Sequence, residues 1–175
     1  MTTYIADTDH YSEVVSRMCK ARRLLWIATA DLKDLYVMQG KGDAVPFLQV
    51  LRDLLKRGVE VRLLHAKEPG TAFREDFDKY PLLWKRLERR LCPRVHMKII
   101  AIDSEIVYIG SANMTGAGMG MKSAANRNFE AGILTDEPGF IDSAMSHFDQ
   151  VWDGTFCTKC GRKDFCSDRI SNIPS

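Results

Sequence analysis

Six residues in one short stretch have the types and spacing for phosphoryl chemistry: His96, Lys98, Asp103, Gly110, Ser111 and Asn113, in the pattern H-x-K-x4-D-x6-G-S-x-N. An imidazole can act as nucleophile or proton carrier near neutral pH. An ammonium, a hydroxyl and a carboxamide can donate hydrogen bonds to anionic oxygens. A phosphodiester under attack needs a nucleophile and donors for its non-bridging oxygens, and this set supplies both without a metal. For a lone histidine, a structural role within a buried hairpin would be the better account; for the whole constellation it is not. A second H-x-K triplet, His65-Ala66-Lys67, has no following aspartate or G-S-x-N and is set aside.

The elements around these residues must present them together. Val95 to Ile102 and Glu105 to Ile109 are apolar, β-branched runs separated by Asp103-Ser104, which predicts a hairpin. Residues two apart on a strand share a face, so His96 and Lys98 should point the same way. Gly110 then lets backbone approach a ligand, with Ser111 and Asn113 placed as donors. Upstream, Tyr11, Val14, Val15, Met18 and Cys19 fall at helical spacing, and Leu24 to Ala30 is a buried-type strand. Residues 32–43 are expected to be loop. A helix carries Phe47, Val50, Leu51, Leu54 and Leu55 between Pro46 and Gly58, and a strand follows from Val59 to Leu63. Strand, helix, strand in that order implies parallel pairing.

Residues 73–91 are expected to be helical with a break at Pro81, and 114–127 a mobile loop whose methionines could line an apolar groove or simply pack. A strand over 128–134 and a helix from Phe140 to Trp152, opened by Pro138, complete the expected fold. Its class is α/β, a mixed, mostly parallel β-sheet flanked by helices. Residues 1–152 form the catalytic domain, and 153–175 a cysteine-rich extension packed on it.

The chain of 175 residues has a net charge of only +2, so any polyanion site must come from local clustering. Lys85, Arg89, Arg90 and Arg94 lead directly into the motif and are the candidate substrate-binding residues. A solvated helix face accounts for this basic run equally well, and Trp84 within it is expected in the core. Five cysteines without a recognisable signal peptide favour a metal over disulfides. Cys157, Cys160 and Cys166 give C-x2-C-x5-C, and Cys92 is the expected fourth ligand of a structural zinc, with His147 as runner-up. No apolar run is long enough to span a bilayer, and a cytoplasmic protein is expected.

The six-residue pattern resembles the HKD signature of the phospholipase D superfamily, and the resemblance extends over about residues 9–152. That family builds its site from two such motifs. The single motif here therefore implies a homodimer with the site on its twofold axis, as in the small bacterial endonucleases and the mitochondrial phospholipase D-like proteins. The resemblance implies that His96 of one subunit attacks phosphorus while His96 of the other protonates the leaving oxygen. Lys98 and Asn113 would hold the non-bridging oxygens, with Ser111 assisting. Asp103, within the motif, would be structural rather than a base. Glu130 matches the acidic position that orients the nucleophile through its other ring nitrogen. No catalytic cofactor is implied. The expected function is a metal-independent phosphodiesterase acting on nucleic acid, DNA or RNA, through a phosphohistidine. The alternatives are a phospholipase D-type lipid hydrolase or transferase acting on membrane lipid, and a non-catalytic dimeric nucleic-acid-binding module.

Overall fold

The apolar run Leu24–Thr29 (β2) is an interior strand of a seven-stranded sheet, buried along nearly its whole length. A computed structural model describes residues 1–33, 35–39 and 42–167 of the chain. Its remaining elements are β1 (Thr2–Ala6), α1 (His10–Val15, continued by Ser16–Met18), β3 (Tyr36–Gln39), β4 (Asp43–Pro46), α2 (Phe47–Lys56) and β5 (Glu60–His65). There follow α3 (Thr71–Asp78), α4 (Pro81–Arg86), β6 (Glu88–Leu91), β7 (Ile99–Ile102), β8 (Ile106–Gly110), β9 (Ala131–Thr135) and α5 (Pro138–Trp152). The sheet order is β1-β9-β8-β7-β2-β5-β6. Within this sheet, pairing is parallel at β2-β5, across the crossover through α2, and at β5-β6, across the crossover through α3 and α4, and antiparallel elsewhere. Strands β1, β8, β2, β5 and β6 consequently run one way, and β7 and β9 the other.

Helices cover both faces, so alternate residues of each central strand enter different cores. On one face α1 and α2 bury Val14, Val15, Met18, Phe47, Leu51 and Leu54 against Ile27, Leu63, Ile100 and Ile102. Each such side chain taken fully out of water contributes about 1.5–3 kcal/mol. On the other face α5 sets Ile141, Ala144, Phe148 and Trp152 against Trp26, Ala28, Val95, Ile99, Ala101 and Val107. The alternation continues back through the approach to β7. Val95, Met97 and Ile99 pack toward α5 while Ile100 and Ile102 pack toward α2, so His96 and Lys98 alternate with the α5-facing residues on the approach to β7.

Three elements depart from the sequence expectation. The expected loop over 32–43 contains most of a short antiparallel ribbon, β3-β4. The expected helix over 73–91 stops at Arg86. Leu87 turns extended, and Glu88–Leu91 adds an edge strand to β5. The N-terminal residues form β1, an edge strand on β9. These strands are only four or five residues long, too short for an alternation to stand out from its surroundings. Trp84 lies outside the core, 53% exposed, with its indole N–H donated to Asp78 at 3.1 Å.

Candidate active site

The carboxyl end of β2, the start of β7 and the end of β8 meet at one edge of the sheet, and the motif residues converge there. His96 is exposed on the extended segment before β7. Lys98 is buried beside it, donating from Nζ to the carbonyl of His96 at 2.7 Å and lying 3.5 Å from His96 Nε2. Burial pushes the Lys98 amine below its usual range, and the negative charge of Glu130 opposes that shift. An ammonium that is poorly hydrated and held next to an imidazole is poised to gain from an arriving phosphate oxygen.

Asn113 is fixed from the β2 side. Its Oδ1 accepts from the backbone N–H of Ala30 at 3.1 Å and Asp31 at 3.0 Å, and from Thr29 Oγ1 at 3.3 Å. Because those partners are donors, the carboxamide must present its NH2 in the other direction, free among the described residues to hold an anionic oxygen. The backbone beside it is tied down as well: Met114 N–H donates to Thr29 Oγ1 at 3.0 Å, and Lys33 N–H to the Met114 carbonyl at 3.0 Å.

Ser111 donates its hydroxyl to Glu130 and accepts from Ala131 N–H at 3.1 Å, while Asn128 Nδ2 donates to the other Glu130 oxygen at 2.9 Å. The expected bond from Glu130 to the His96 ring is not formed; among the described residues this carboxylate is held by Ser111 and Asn128 instead. Its link to the site is electrostatic, through Lys98.

Asp103 lies away from this edge, in the three-residue turn at the opposite end of the β7-β8 hairpin. Asp103 and Ser104 both have left-handed backbone, φ +57° and +55°, as the twist-compatible hairpin turn requires. The Asp103 carboxylate accepts backbone N–H bonds from Arg22 at 3.0 and 3.1 Å, Arg23 at 2.7 Å and Leu24 at 3.1 Å. Burial pushes its pKa up, but these N–H groups and the Arg22 guanidinium outweigh burial and leave the carboxyl below its usual range.

The structure also brings together residues that sequence reasoning missed. Tyr108, fully buried on β8, accepts from Ala112 N–H at 3.3 Å and meets His10 Nε2 at 2.8 Å, while His10 Nδ1 meets the Asp7 carbonyl at 3.0 Å. The carbonyl fixes the tautomer: His10 Nδ1–H donates to Asp7, and the Tyr108 hydroxyl donates to Nε2. Burial holds the phenol up at about 12, so it stays protonated. This chain of bonds braces the loop between Ser111 and Asn113 from below. It also explains Gly110: a Cβ there would land on the Tyr108 hydroxyl and come within 2.7 Å of the Ala131 carbonyl. The missing side chain makes room for the phenol, not for a ligand. No local pattern signals a tyrosine bonded to a histidine 98 residues earlier.

The basic run does not form one ridge. Arg89 and Arg90 are neighbours on β6 and point to opposite faces. Arg89 pairs with Glu68 at 2.6 Å, whereas Arg90 donates to the Trp152 carbonyl and lies over that indole. Lys85 is exposed on α4, and Arg94 is the one member of the four that lines a cavity with His96.

The zinc expectation is not met either. Cys92, Cys157, Cys160 and Cys166 are free thiols, close enough that the other three reinforce the upward shift that burial imposes on Cys157. Yet Cys166 Sγ turns to the Leu91 carbonyl at 3.8 Å, and Cys160 Sγ accepts from Arg162 N–H at 3.4 Å. Among the described residues no three His, Cys, Asp or Glu side chains stand together as metal ligands. The end of the proposed extension, 168–175, lies outside the described residues. No helix among them is long and apolar enough to cross a membrane.

An H-x-K pair at the mouth of a hairpin, with a carboxamide pinned at the end of the neighbouring strand β2, is the arrangement of a phospholipase D-like domain. The sequence profile of the family described as cardiolipin synthase, PLD-like domain, matches residues 14–152, and the chain belongs to that phospholipase D-like family. Cardiolipin synthase of Clostridium perfringens (strain 13) is 25% identical over 115 residues, 59% of this chain and 23% of its own length. The chain thus spans about a quarter of the curated relatives it matches. Among solved structures, NucT from Helicobacter pylori superposes with a TM-score of 0.63 at 17% identity, covering 87% of this chain and 97% of that one. Nuc, a phospholipase D family member from Salmonella typhimurium, gives 0.61 at 18% identity, with 87% and 94% covered. At these identities the likeness is one of fold.

Proposed function

We propose that this protein is a phosphodiesterase acting on nucleic acid, a nuclease, working as a homodimer through a phosphohistidine. The observation that carries the proposal is the exposed His96 imidazole 3.5 Å from the Lys98 ammonium, beside an Asn113 amide that has only its donor face free. His96 attacks phosphorus and the bond to the leaving oxygen breaks. The partner subunit's His96 gives that oxygen its proton, then takes one from the water that cleaves the P–N bond. Lys98 and Asn113 hold the non-bridging oxygens throughout.

Two of the other three histidines are closed off as acids within one chain. His10 and His65 are buried with their Nδ1 atoms on backbone carbonyls, and His147 lies on α5 across a cavity from His96. A second copy fits the need.

A lipid substrate is the second reading, favoured by the cardiolipin synthase relatives. Against it, Met114 and Met119 are buried in the core instead of lining a groove for an acyl chain. Single-stranded oligonucleotides and phosphatidylglycerol vesicles, each incubated with the protein in chelator, separate the two. We expect oligonucleotide cleavage; release of headgroup alone would overturn the nuclease reading, and tight binding of the oligonucleotide without turnover would favour the non-catalytic module. Mixing wild type with equal His96→Asn tests the shared site. After exchange, activity should fall to about a quarter of an equal total of wild type, whereas independent subunits would keep about half.

A further inference from the structure

A cavity of about 350 Å³ opens beside the nucleophile, with His96 and Met97 on one wall and Val151, His147 and Phe156 across from them. Arg94 stands at its rim and also lines a second cavity of about 330 Å³, which holds Thr158 and Lys159. Phe156 belongs to both linings and is 47% exposed, so its ring forms the partition between two adjacent hollows.

We infer that the first cavity takes the nucleobase and sugar next to the scissile phosphate, stacked on Phe156, with the strand continuing over Arg94 into the second cavity. This rests on the nuclease reading and assigns its substrate subsite. Size and polarity support the choice. The volume is at the small end for ligand pockets, suited to one planar base with its sugar and not to the paired acyl chains of a phospholipid. Apolar Val151, Met97 and Phe156 suit the faces of a base, while Arg94 and His147 offer donors that an acyl chain would leave unmet. Two hollows sharing a cation and an aromatic ring, with Lys159 in the second, repeat in the manner of successive nucleotides. The inference also accounts for residues 153–160, since the segment after α5 closes one side of the active site.

The test compares, for one protein at a time, cleavage of a single-stranded oligonucleotide with cleavage of the same strand made abasic next to the scissile phosphate. Because each variant serves as its own reference, partial misfolding cancels. Wild type should prefer the base-bearing strand by roughly tenfold or more, from the loss of one stacked base. In Phe156→Ala that preference should collapse toward unity, and Phe156→Tyr should restore it. Arg94→Ala should raise KM for both strands alike. A wild-type preference that survives in Phe156→Ala, or a wild type indifferent to the missing base, overturns the subsite while leaving the nuclease reading intact. A wild type that cleaves neither strand but hydrolyses phosphatidylglycerol overturns both.

Discussion

The two ends of the β7-β8 hairpin hold residues of one six-position pattern and treat them in opposite ways. At the turn, every acceptor of Asp103 is engaged: three successive backbone N–H groups close on one carboxylate, and the chain entering β2 is thereby anchored. At the other end the groups are held but not spent. Lys98 keeps its ammonium beside an exposed imidazole, and Asn113 uses its oxygen for support and leaves its NH2 available. Saturated hydrogen bonding is what a structural residue needs, and unfilled donors on a rigid mount are what an oxyanion site needs. The motif is therefore half chemistry and half scaffold, and the division follows the hairpin's length.

Substitutions at each end should separate activity from stability. Lys98→Met at the open end should lower kcat by about 10²–10³-fold, the usual loss for one oxyanion donor. Its thermal midpoint should equal or exceed that of wild type. A lysine whose folded pKa is depressed costs stability wherever it is protonated, up to the folded pKa, so removing it relieves a burden at neutral pH. A large fall in midpoint with kcat unchanged would reverse the assignment. Asp103→Ala at the closed end should do the opposite, lowering unfolding free energy by about 2 kcal/mol through unpaired backbone donors. Its effect on kcat per folded molecule should stay within about threefold.

The same carboxylate predicts a pH signature. Its folded pKa lies below the unfolded value, so its stabilisation is fully present above about pH 4 and is lost as pH falls through the folded pKa. Urea unfolding from pH 7 down to pH 3 should therefore show a smaller acid loss in Asp103→Ala than in wild type. The smallest effect is expected for Tyr108→Phe, which removes the hydroxyl between His10 and Ala112. It should cost about 1 kcal/mol of stability and loosen the 111–113 loop enough to lower kcat by a few fold. If chemistry fell as far as in Lys98→Met, the phenol would have to be placed at the reacting atoms instead of beneath them.

Most of the site's chemistry could be read from the sequence because its residues lie within one hairpin. Alternation along a strand already puts His96 and Lys98 on one side, and Asp103-Ser104 announces the turn. What could not be read depends on contacts distant in sequence. Nothing near Asp103 says that its partners are the N–H groups of Arg22 to Leu24, and nothing near Glu130 says that Ser111 and Asn128 will hold it instead of the His96 ring. The basic run misled for a different reason: a charged segment looks alike as an exposed helix or as an edge strand, and pairing with β5 decided the matter. The cysteines mark a third limit, since C-x2-C spacing describes which thiols could meet and not where each sulfur turns.

The central claim is that His96 bonds to phosphorus. Rapid quenching of the protein with a 5′-labelled oligonucleotide, under conditions that preserve phosphoramidates, followed by peptide mass spectrometry, tests it directly. The account predicts a nucleotidyl or phosphoryl mass on the peptide carrying His96, absent in His96→Asn, whose turnover should fall by at least about a thousandfold. Cleavage that persists in His96→Asn, or an adduct on any other residue, would contradict it.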